Sequence, residues 1–144
     1  MKLTYCVPEN KKIRVILDSD TACEADDPFA IAHALMSPKL IVRAVIAEHF
    51  AAAGSMQKSY EAIKRLTAAM ELDVNVLSGE EWPLKQTKRI SEGVKFIIEE
   101  ARSQNSHPLY ILCLGALSNI ARALEEAPDI EQRNLLEAVR MKTA

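Results

Sequence analysis

An apolar segment that ends abruptly in carboxylates is the feature that most constrains how this chain folds. Residues 15–17 are apolar and lead directly into five acidic residues within ten positions: Asp18, Asp20, Glu24, Asp26 and Asp27. Two like charges about 4 Å apart repel by roughly 4 kcal/mol at an effective dielectric constant near 20. Such a cluster at a strand end is stable only where a cation or shared protons offset the repulsion. The pattern therefore predicts a divalent metal site at the carboxyl end of a β-strand.

The composition excludes several classes of protein. With 144 residues, 49% of them apolar, the chain suits one domain with a sizeable core. Its formal net charge of −2 offers no basic stripe for nucleic acid, and no apolar run approaches the roughly 20 residues that span a membrane. The cysteines Cys6, Cys23 and Cys113 lack metal-type spacing, so we expect free thiols in a cytoplasmic protein. Neighbouring carboxylates should raise the pKa of the Cys23 thiol, which argues against a thiolate nucleophile.

Apolar strands alternate with amphipathic helices along the rest of the chain. Strands are predicted at residues 14–17, 40–47, 74–77 and 109–113, and helices at 27–36, 55–70, from 91, 117–126 and 129–140. This alternation indicates a Rossmann-like α/β fold, with a mainly parallel sheet between two layers of helices. Right-handed crossovers place the fourth strand beside the first. The crevice between those two strands is then the topological switch point, where such sheets bind ligands.

Two chain segments should meet at that crevice because of their positions alone. The carboxylate loop follows the first strand, and Leu114 follows the fourth. We predict Asp20 and Asp27 as metal ligands, with the Leu114 carbonyl as a further oxygen, because hard cations such as calcium take about six to eight oxygens. A carboxylate beside such a cation deprotonates water readily. The alternative is that these acids only cap the following helix and face solvent.

Other polar residues near the crevice have both functional and structural interpretations. His49 follows the second strand, as a substrate contact or as a partly exposed loop residue. Ser118 and Asn119 begin a helix, where they either cap it or hold a ligand hydroxyl. Trp82 either closes over a ligand or packs on the surface.

Residues 15–30 resemble the N-terminal signature of the inosine-uridine-preferring nucleoside N-ribohydrolases, Asp-x-Asp-x-Gly-x-Asp-Asp. Asp18 and Asp20 match the first acidic pair, and Asp26 and Asp27 match the last. The loop between the pairs is two residues longer here and lacks the glycine.

A second stretch, residues 110–121, resembles the family's Gly-Pro-Leu-Thr-Asn-Leu-Ala. Ala116 replaces the proline and Ser118 replaces the threonine. The intervening residues 79–84 and 91–93 are also similar to divergent members with longer loops, so the resemblance extends over almost the whole chain.

The resemblance implies a calcium-dependent hydrolase that cleaves the N-glycosidic bond of ribonucleosides. Asp20 would contact Ca²⁺ and act as the base on water. Asp27 and the Leu114 carbonyl would be the other calcium ligands within this chain. Asp18 would orient the loop, and Asp26 would hold a ribose hydroxyl. His49 and Asn119 are further predicted substrate contacts, from their positions beside the crevice and not from the resemblance. The family's asparagine after the second strand is replaced by Glu48-His49, so base preference does not transfer.

The resemblance also implies that this chain is a truncated, N-terminal part of the family fold, a single domain over residues 1–144. Family members carry further strands and a late His-Asp pair that supplies a leaving-group acid and another calcium ligand. A fourth strand without its neighbour exposes an edge that favours pairing with another chain. We therefore expect a homo-oligomer or a complementing chain, and three states stay open: a split hydrolase, an oligomer that completes itself, or an inactive remnant that binds ribose or metal.

Two other functions compete with the nucleoside hydrolase. Residues 17–21 also fit the Asp-x-Asp-x-Thr start of haloacid-dehalogenase-like phosphatases, with Asp18 as nucleophile, Asp20 as acid and magnesium as cofactor. That family needs a later acidic pair at a strand end, and none follows the fourth strand. The third possibility is a non-catalytic metal-binding, ribose-binding or oligomerisation module on the same fold.

Overall fold

A parallel β-sheet lies between two layers of helices in the computed structural model, which describes residues 6–84 and 89–132. Its strands are β1 (Ile13–Ser19), β2 (Leu40–Ala47), β3 (Val76–Ser78) and β4 (Leu109–Cys113). The helices are α1 (Asp27–Met36), α2 (Ser55–Ala69), α3 (Glu92–Arg102) and α4 (Ser118–Glu126), with short 3₁₀ turns at Glu9–Lys11 and Pro128–Gln132.

The strand order is β3-β2-β1-β4, and each neighbouring pair is parallel. The fourth strand therefore returns beside the first, as the sequence predicts. β1 lies between two neighbours and is buried on both faces, which explains its continuous apolar sequence. The crevice at the carboxyl ends of β1 and β4 is the switch point of the sheet.

Two apolar layers sandwich the sheet. Because successive side chains of a strand point to opposite faces, Ile16 packs with α3 and α4, whereas Val15 and Leu17 pack with α1 and α2. Ile97 and Ile120 bring α3 and α4 onto the first face, and both are buried. Each face of the sheet is therefore covered by a pair of helices, which hold the strand ends that carry the loops after β1 and β4.

The predicted boundaries of α1, β2 and β4 are confirmed, but others differ. β1 continues to Ser19, because Asp18 and Ser19 stay paired with β2 despite their polarity. β3 begins at Val76, two residues later than predicted. Ser55 starts α2 without capping it: its hydroxyl accepts a hydrogen bond from the Phe50 N–H at 3.1 Å, and Gly54 occupies the N-cap with φ 69°.

The last predicted helix is only partly within the described residues. Where helix was expected from residue 129, the chain forms the 3₁₀ turn Pro128–Gln132, and residues 133–140 lie outside the described part. The three cysteines are free thiols, as expected, with Cys113 buried and the other two exposed. No helix within the described ranges has the length and apolar character needed to cross a membrane.

Candidate functional site

The five clustered acids separate into three environments. Asp18 is completely buried in β1, and Asp27 is buried at the start of α1 with 5% of its surface exposed. Asp20 is half-buried between them, while Glu24 and Asp26 are exposed. The loop therefore brings Asp20 and Asp27 to the crevice and leaves Glu24 and Asp26 in contact with solvent.

Asp20 and Asp27 meet at the carboxyl end of β1, where their carboxyl groups hydrogen-bond to each other. The Ser19 hydroxyl donates to Asp27 Oδ2 at 2.8 Å and lies 2.6 Å from the Thr21 hydroxyl. Burial, with the Asp20 charge added, raises the pKa of Asp27 to about 6, although the Ser19 hydrogen bond opposes the shift. Burial also raises the pKa of Asp20. The pair therefore concentrates negative charge that a cation would relieve.

The turn after β4 forms the other wall of this crevice. The Asp20 carboxyl packs so closely on Gly115 that a Cβ there would collide with Asp20 Oδ1. The Leu114 N–H donates to the Asp18 carbonyl at 2.7 Å, which holds the turn against β1. The structure thus brings Asp20 and Asp27 together beside the turn at Gly115, the residue that follows Leu114.

Asp18 lies beneath that pair rather than beside it. Its Oδ1 accepts a hydrogen bond from Asn119 Nδ2 at 2.8 Å, and its buried Oδ2 has no partner within the described residues. Burial raises its pKa to about 7, with a smaller contribution from the Asp20 charge. A completely buried carboxyl cannot reach a phosphoryl group, which disfavours Asp18 as the nucleophile of a phosphatase.

Asn119 connects the acids at the ends of three strands. Besides its bond to Asp18, its main-chain N–H donates to Glu48 Oε2 at 3.2 Å, and its Oδ1 accepts from the Glu80 N–H at 2.7 Å. Glu48 and Glu80 are 0% and 1% exposed. Neither is a predicted site residue, although each acid closely follows the carboxyl end of an apolar strand.

Glu48 is an acid in an environment that disfavours its charge. Burial is the main cause that raises its pKa to about 10, and the nearby Asp18 charge adds to it. The hydrogen bonds that its oxygens accept from the N–H groups of His49 and Asn119 only partly offset this. The environment of Glu48 therefore favours its neutral, protonated form.

His49 is buried with 2% exposure and points into the protein. Its Nδ1 accepts a hydrogen bond from the Ala51 N–H at 3.1 Å, so its proton sits on Nε2, 2.8 Å from the Ser118 hydroxyl. Burial lowers the pKa of His49. Because Nε2 already carries a proton, it cannot accept one from the Ser118 hydroxyl. His49 therefore does not act as a base that activates Ser118 as a nucleophile.

The remaining predicted residues lie around the rim. Asp26 is exposed at the start of α1, and its carbonyl accepts from the Phe29 and Ala30 N–H groups at 3.0 Å. The pKa of the Cys23 thiol is raised, as predicted, by burial and then by the Asp20 charge. Trp82 is half-buried and lines a cavity of about 760 Å³ at the carboxyl end of β3.

The donor set fits a cation only in part. No group of three or more His, Cys, Asp or Glu side chains in residues 6–84 and 89–132 is arranged to hold a metal ion. Two carboxyl groups in contact beside a main-chain turn do match the oxygen ligands that calcium prefers. This chain therefore offers two carboxylates, and the other oxygens of a calcium shell would be main-chain or water.

Comparison with solved structures gives the same fold. A purine-preferring ribonucleoside hydrolase from Gardnerella vaginalis superposes with a TM-score of 0.72 at 23% identity, over 91% of this chain and 49% of that enzyme. An inosine-uridine preferring nucleoside hydrolase from Bacillus anthracis gives 0.61 at 19% identity, over 92% of this chain and 51% of that protein. An inosine-guanosine nucleoside hydrolase gives 0.62 at 23% identity, over 81% and 44%. The chain thus spans about half the length of these proteins.

A comparison with curated protein sequences found no match. A sequence profile of the inosine-uridine preferring nucleoside hydrolases, in contrast, matches residues 15–141, which include both motifs and most of the chain. The fold and this match agree with the resemblance that the carboxylate loop first indicated, and the chain belongs to the inosine-uridine preferring nucleoside hydrolase family.

Proposed function

We propose that this chain carries the calcium-binding and water-activating part of a nucleoside hydrolase, which cleaves the N-glycosidic bond of ribonucleosides. The observation that supports it most is the contact between the Asp20 and Asp27 carboxyl groups against the turn at Gly115. The family membership supports the reaction, and this contact supports a cation site between the two carboxyl groups.

Asp20, Asp27 and the Leu114 carbonyl would hold the calcium ion. When bound, the ion acidifies water and stabilises the negative charge that develops on it. Asp20 would take the water proton as the water oxygen bonds to the anomeric carbon. The bond to the base breaks, and the base leaves with that electron pair and takes a proton from solvent water.

Asp26 is placed to accept a hydrogen bond from a ribose hydroxyl, since it is exposed on the rim beside Asp27. Asp18 supports the loop from below through Asn119. His49 and Asn119 have their side-chain polar atoms engaged inside the protein, so we assign them to positioning the crevice rather than to touching ribose.

A titration of inosine into the chain tests this proposal. We expect calorimetric binding with Ca²⁺ present, and loss of binding with EDTA or in Asp20→Asn. Glu24→Gln, which changes an exposed acid of the same loop, should bind inosine as the original chain does. Inosine binding that EDTA leaves unchanged would contradict the proposal. So would a failure to detect inosine binding when Ca²⁺ is present.

A non-catalytic module that binds ribose or metal is the second candidate. It is favoured by the donor set of the crevice, where two carboxyl groups meet but no group of three metal-ligating side chains is arranged within the described residues. Release of reducing sugar from inosine and uridine separates the two. We expect weak or undetectable release by these 144 residues alone. Robust turnover would show that this chain needs no further acid and would exclude the non-catalytic module.

A further inference from the structure

Two buried hydroxyl groups flank Asp20 in the sequence, those of Ser19 and Thr21. Ser19 is the last residue of β1 and is 0% exposed, and Thr21 is 4% exposed. The main chain of Ser19 is paired with β2, so its side chain leaves the sheet at a fixed place. A buried hydroxyl is unfavourable unless it is hydrogen-bonded, and the partners of these two therefore indicate what they do.

The two hydroxyls form a chain of hydrogen bonds that ends on Asp27. The Ser19 hydroxyl donates its one hydrogen to Asp27 Oδ2 at 2.8 Å. The Thr21 hydroxyl lies 2.6 Å from the Ser19 oxygen, and Ser19 has no second hydrogen to donate. Thr21 therefore donates to Ser19, which fixes the direction of both bonds. Because each bond polarises the next, the chain holds the Asp27 carboxyl more firmly than Ser19 alone would.

This chain of hydrogen bonds joins the two ends of an exposed loop. Residues 22–26, between Thr21 and Asp27, are all exposed, so none of their side chains packs in the core to fix the shape of the loop. Ser19 and Thr21 lie on either side of Asp20, and their bonds to Asp27 therefore also hold the main chain that carries Asp20. The two hydroxyls thus set the position of Asp27 relative to Asp20.

We propose that Ser19 and Thr21 are positioning residues, which hold Asp27 beside Asp20 in the arrangement that binds a divalent cation. The inference rests on the proposed function and deepens it, because it names the groups that keep the two carboxylates in place before the ion binds. The hydroxyls themselves do not contact the ion. A ligand group whose orientation is already fixed loses less freedom on binding, and the outer hydrogen-bond partners of metal ligands typically contribute about 10–100-fold in affinity.

Calorimetric titration of Ca²⁺ into the chain and its variants tests the proposal. We expect Ser19→Ala to weaken calcium binding by about 10–100-fold, because Asp27 loses its donor. Thr21→Val, which keeps the shape and removes the hydroxyl, should weaken it less. Thr21→Ser, which keeps the hydroxyl, should bind calcium as the original chain does. Thr67→Val is the matched control, because it removes a hydroxyl that is also 4% exposed but bonds to the Lys64 carbonyl within α2, and it should keep the calcium affinity.

The double variant Ser19→Ala/Thr21→Val separates a chain of hydrogen bonds from two independent effects on folding. If Thr21 acts on Asp27 through Ser19, removing its hydroxyl from a Ser19→Ala chain should cost no further calcium affinity. Losses that add in the double variant, an unchanged affinity in Ser19→Ala, or an equal loss in Thr67→Val would overturn the inference and leave the proposed function standing. A failure of the original chain to bind Ca²⁺ would overturn both.

Melting temperatures in EDTA show which variants are folded at the temperature of the titration. If Ser19→Ala does not fold, the comparison of Thr21→Val with Thr21→Ser tests the inference, because these two differ in the hydroxyl-bearing and methyl-bearing groups of one side chain. Weaker calcium binding in Thr21→Val alone would support the positioning role. Equal calcium affinity in the two would overturn it.

Discussion

Asp20 and Asp27 show how single residues make a candidate site in this chain. The sequence places them at the end of a strand, and the structure brings their carboxyl groups into contact beside Gly115. Neither side chain has a cationic neighbour among the contacts that shift its pKa. The pair is therefore an acceptor site whose charge is balanced by protons or by a bound cation.

The substitution Asp27→Asn should abolish stabilisation by calcium. Binding to the folded state alone stabilises it by about 2.7 kcal/mol at a free calcium concentration 100 times Kd, so Ca²⁺ should raise the melting temperature of the original chain. Differential scanning fluorimetry with Ca²⁺ and with EDTA measures the shift. Asp26→Asn, a change of the exposed neighbour, should keep it. An equal shift in Asp27→Asn would remove Asp27 from the ligands.

Glu48 should make the chain less stable as pH rises above neutrality. Because burial raises its pKa from 4.5 to about 10, the folded chain binds this proton more tightly than the unfolded chain. The resulting stability is complete below pH 4.5 and is lost as pH rises towards 10. The raised pKa values of Asp18 and Asp27 also lower stability as pH rises, but they are only about 7 and 6. Their effect is therefore nearly complete below pH 7.5. Glu48 therefore dominates between about pH 7.5 and 8.5.

Urea unfolding across that interval tests this effect. The original chain should lose up to about 1.4 kcal/mol of unfolding free energy per pH unit, and Glu48→Gln should have a flatter profile. Glu99→Gln, which alters an exposed acid on α3, should keep the slope of the original chain. If Glu48→Gln keeps the full slope, Glu48 is not the group that titrates.

At the scale of residues, the sequence predicts the groups that lie at strand ends, and it fails where contacts join distant segments. Asp20, Asp27 and Leu114 can be predicted, because the carboxyl ends of neighbouring strands converge. Glu80 cannot, because its burial depends on contacts with Ser91 and Asn119, 11 and 39 positions away. The side chain of His49 also turned inward, towards Ser118, which is 69 positions away.

At the scale of elements, α3 is held to the sheet by a buried ion pair at the opposite end from the site. Glu100 accepts from Arg14 of β1 at 2.7 Å and from Arg43 of β2 at 2.8 Å. The Arg14 side chain is 1% exposed and that of Glu100 is 10% exposed. The sequence predicts these elements from their periodicity, but it does not reveal this pair, since charged residues normally face solvent.

Glu100→Gln should destabilise the chain by about 3–5 kcal/mol, because it leaves the buried Arg14 charge without its partner. Asp129→Asn breaks an ion pair with Arg102 in which the two side chains are 49% and 43% exposed, and it should cost only about 0–1 kcal/mol. Both values come from urea unfolding. Similar losses in the two variants would contradict the claim that α3 depends on the buried pair.

At the scale of the whole molecule, β4 is an edge strand of the described sheet. Within the described residues β4 pairs only with β1. A strand edge without a partner favours pairing with another chain. We propose that a second copy of the chain, or a complementing chain, pairs there. Light scattering of the purified chain should give a mass above 16.0 kDa that falls on dilution. A constant monomer mass at every concentration would rule out self-pairing.

A crystal structure grown with Ca²⁺ tests the central claim most directly. The claim is that the carboxylates after β1 converge on a cation rather than only on each other. We predict one calcium ion bonded to oxygens of both Asp20 and Asp27, with the Leu114 carbonyl among its other ligands. A structure in which Asp20 and Asp27 keep their mutual hydrogen bond, with no ion between them at saturating Ca²⁺, would contradict the account.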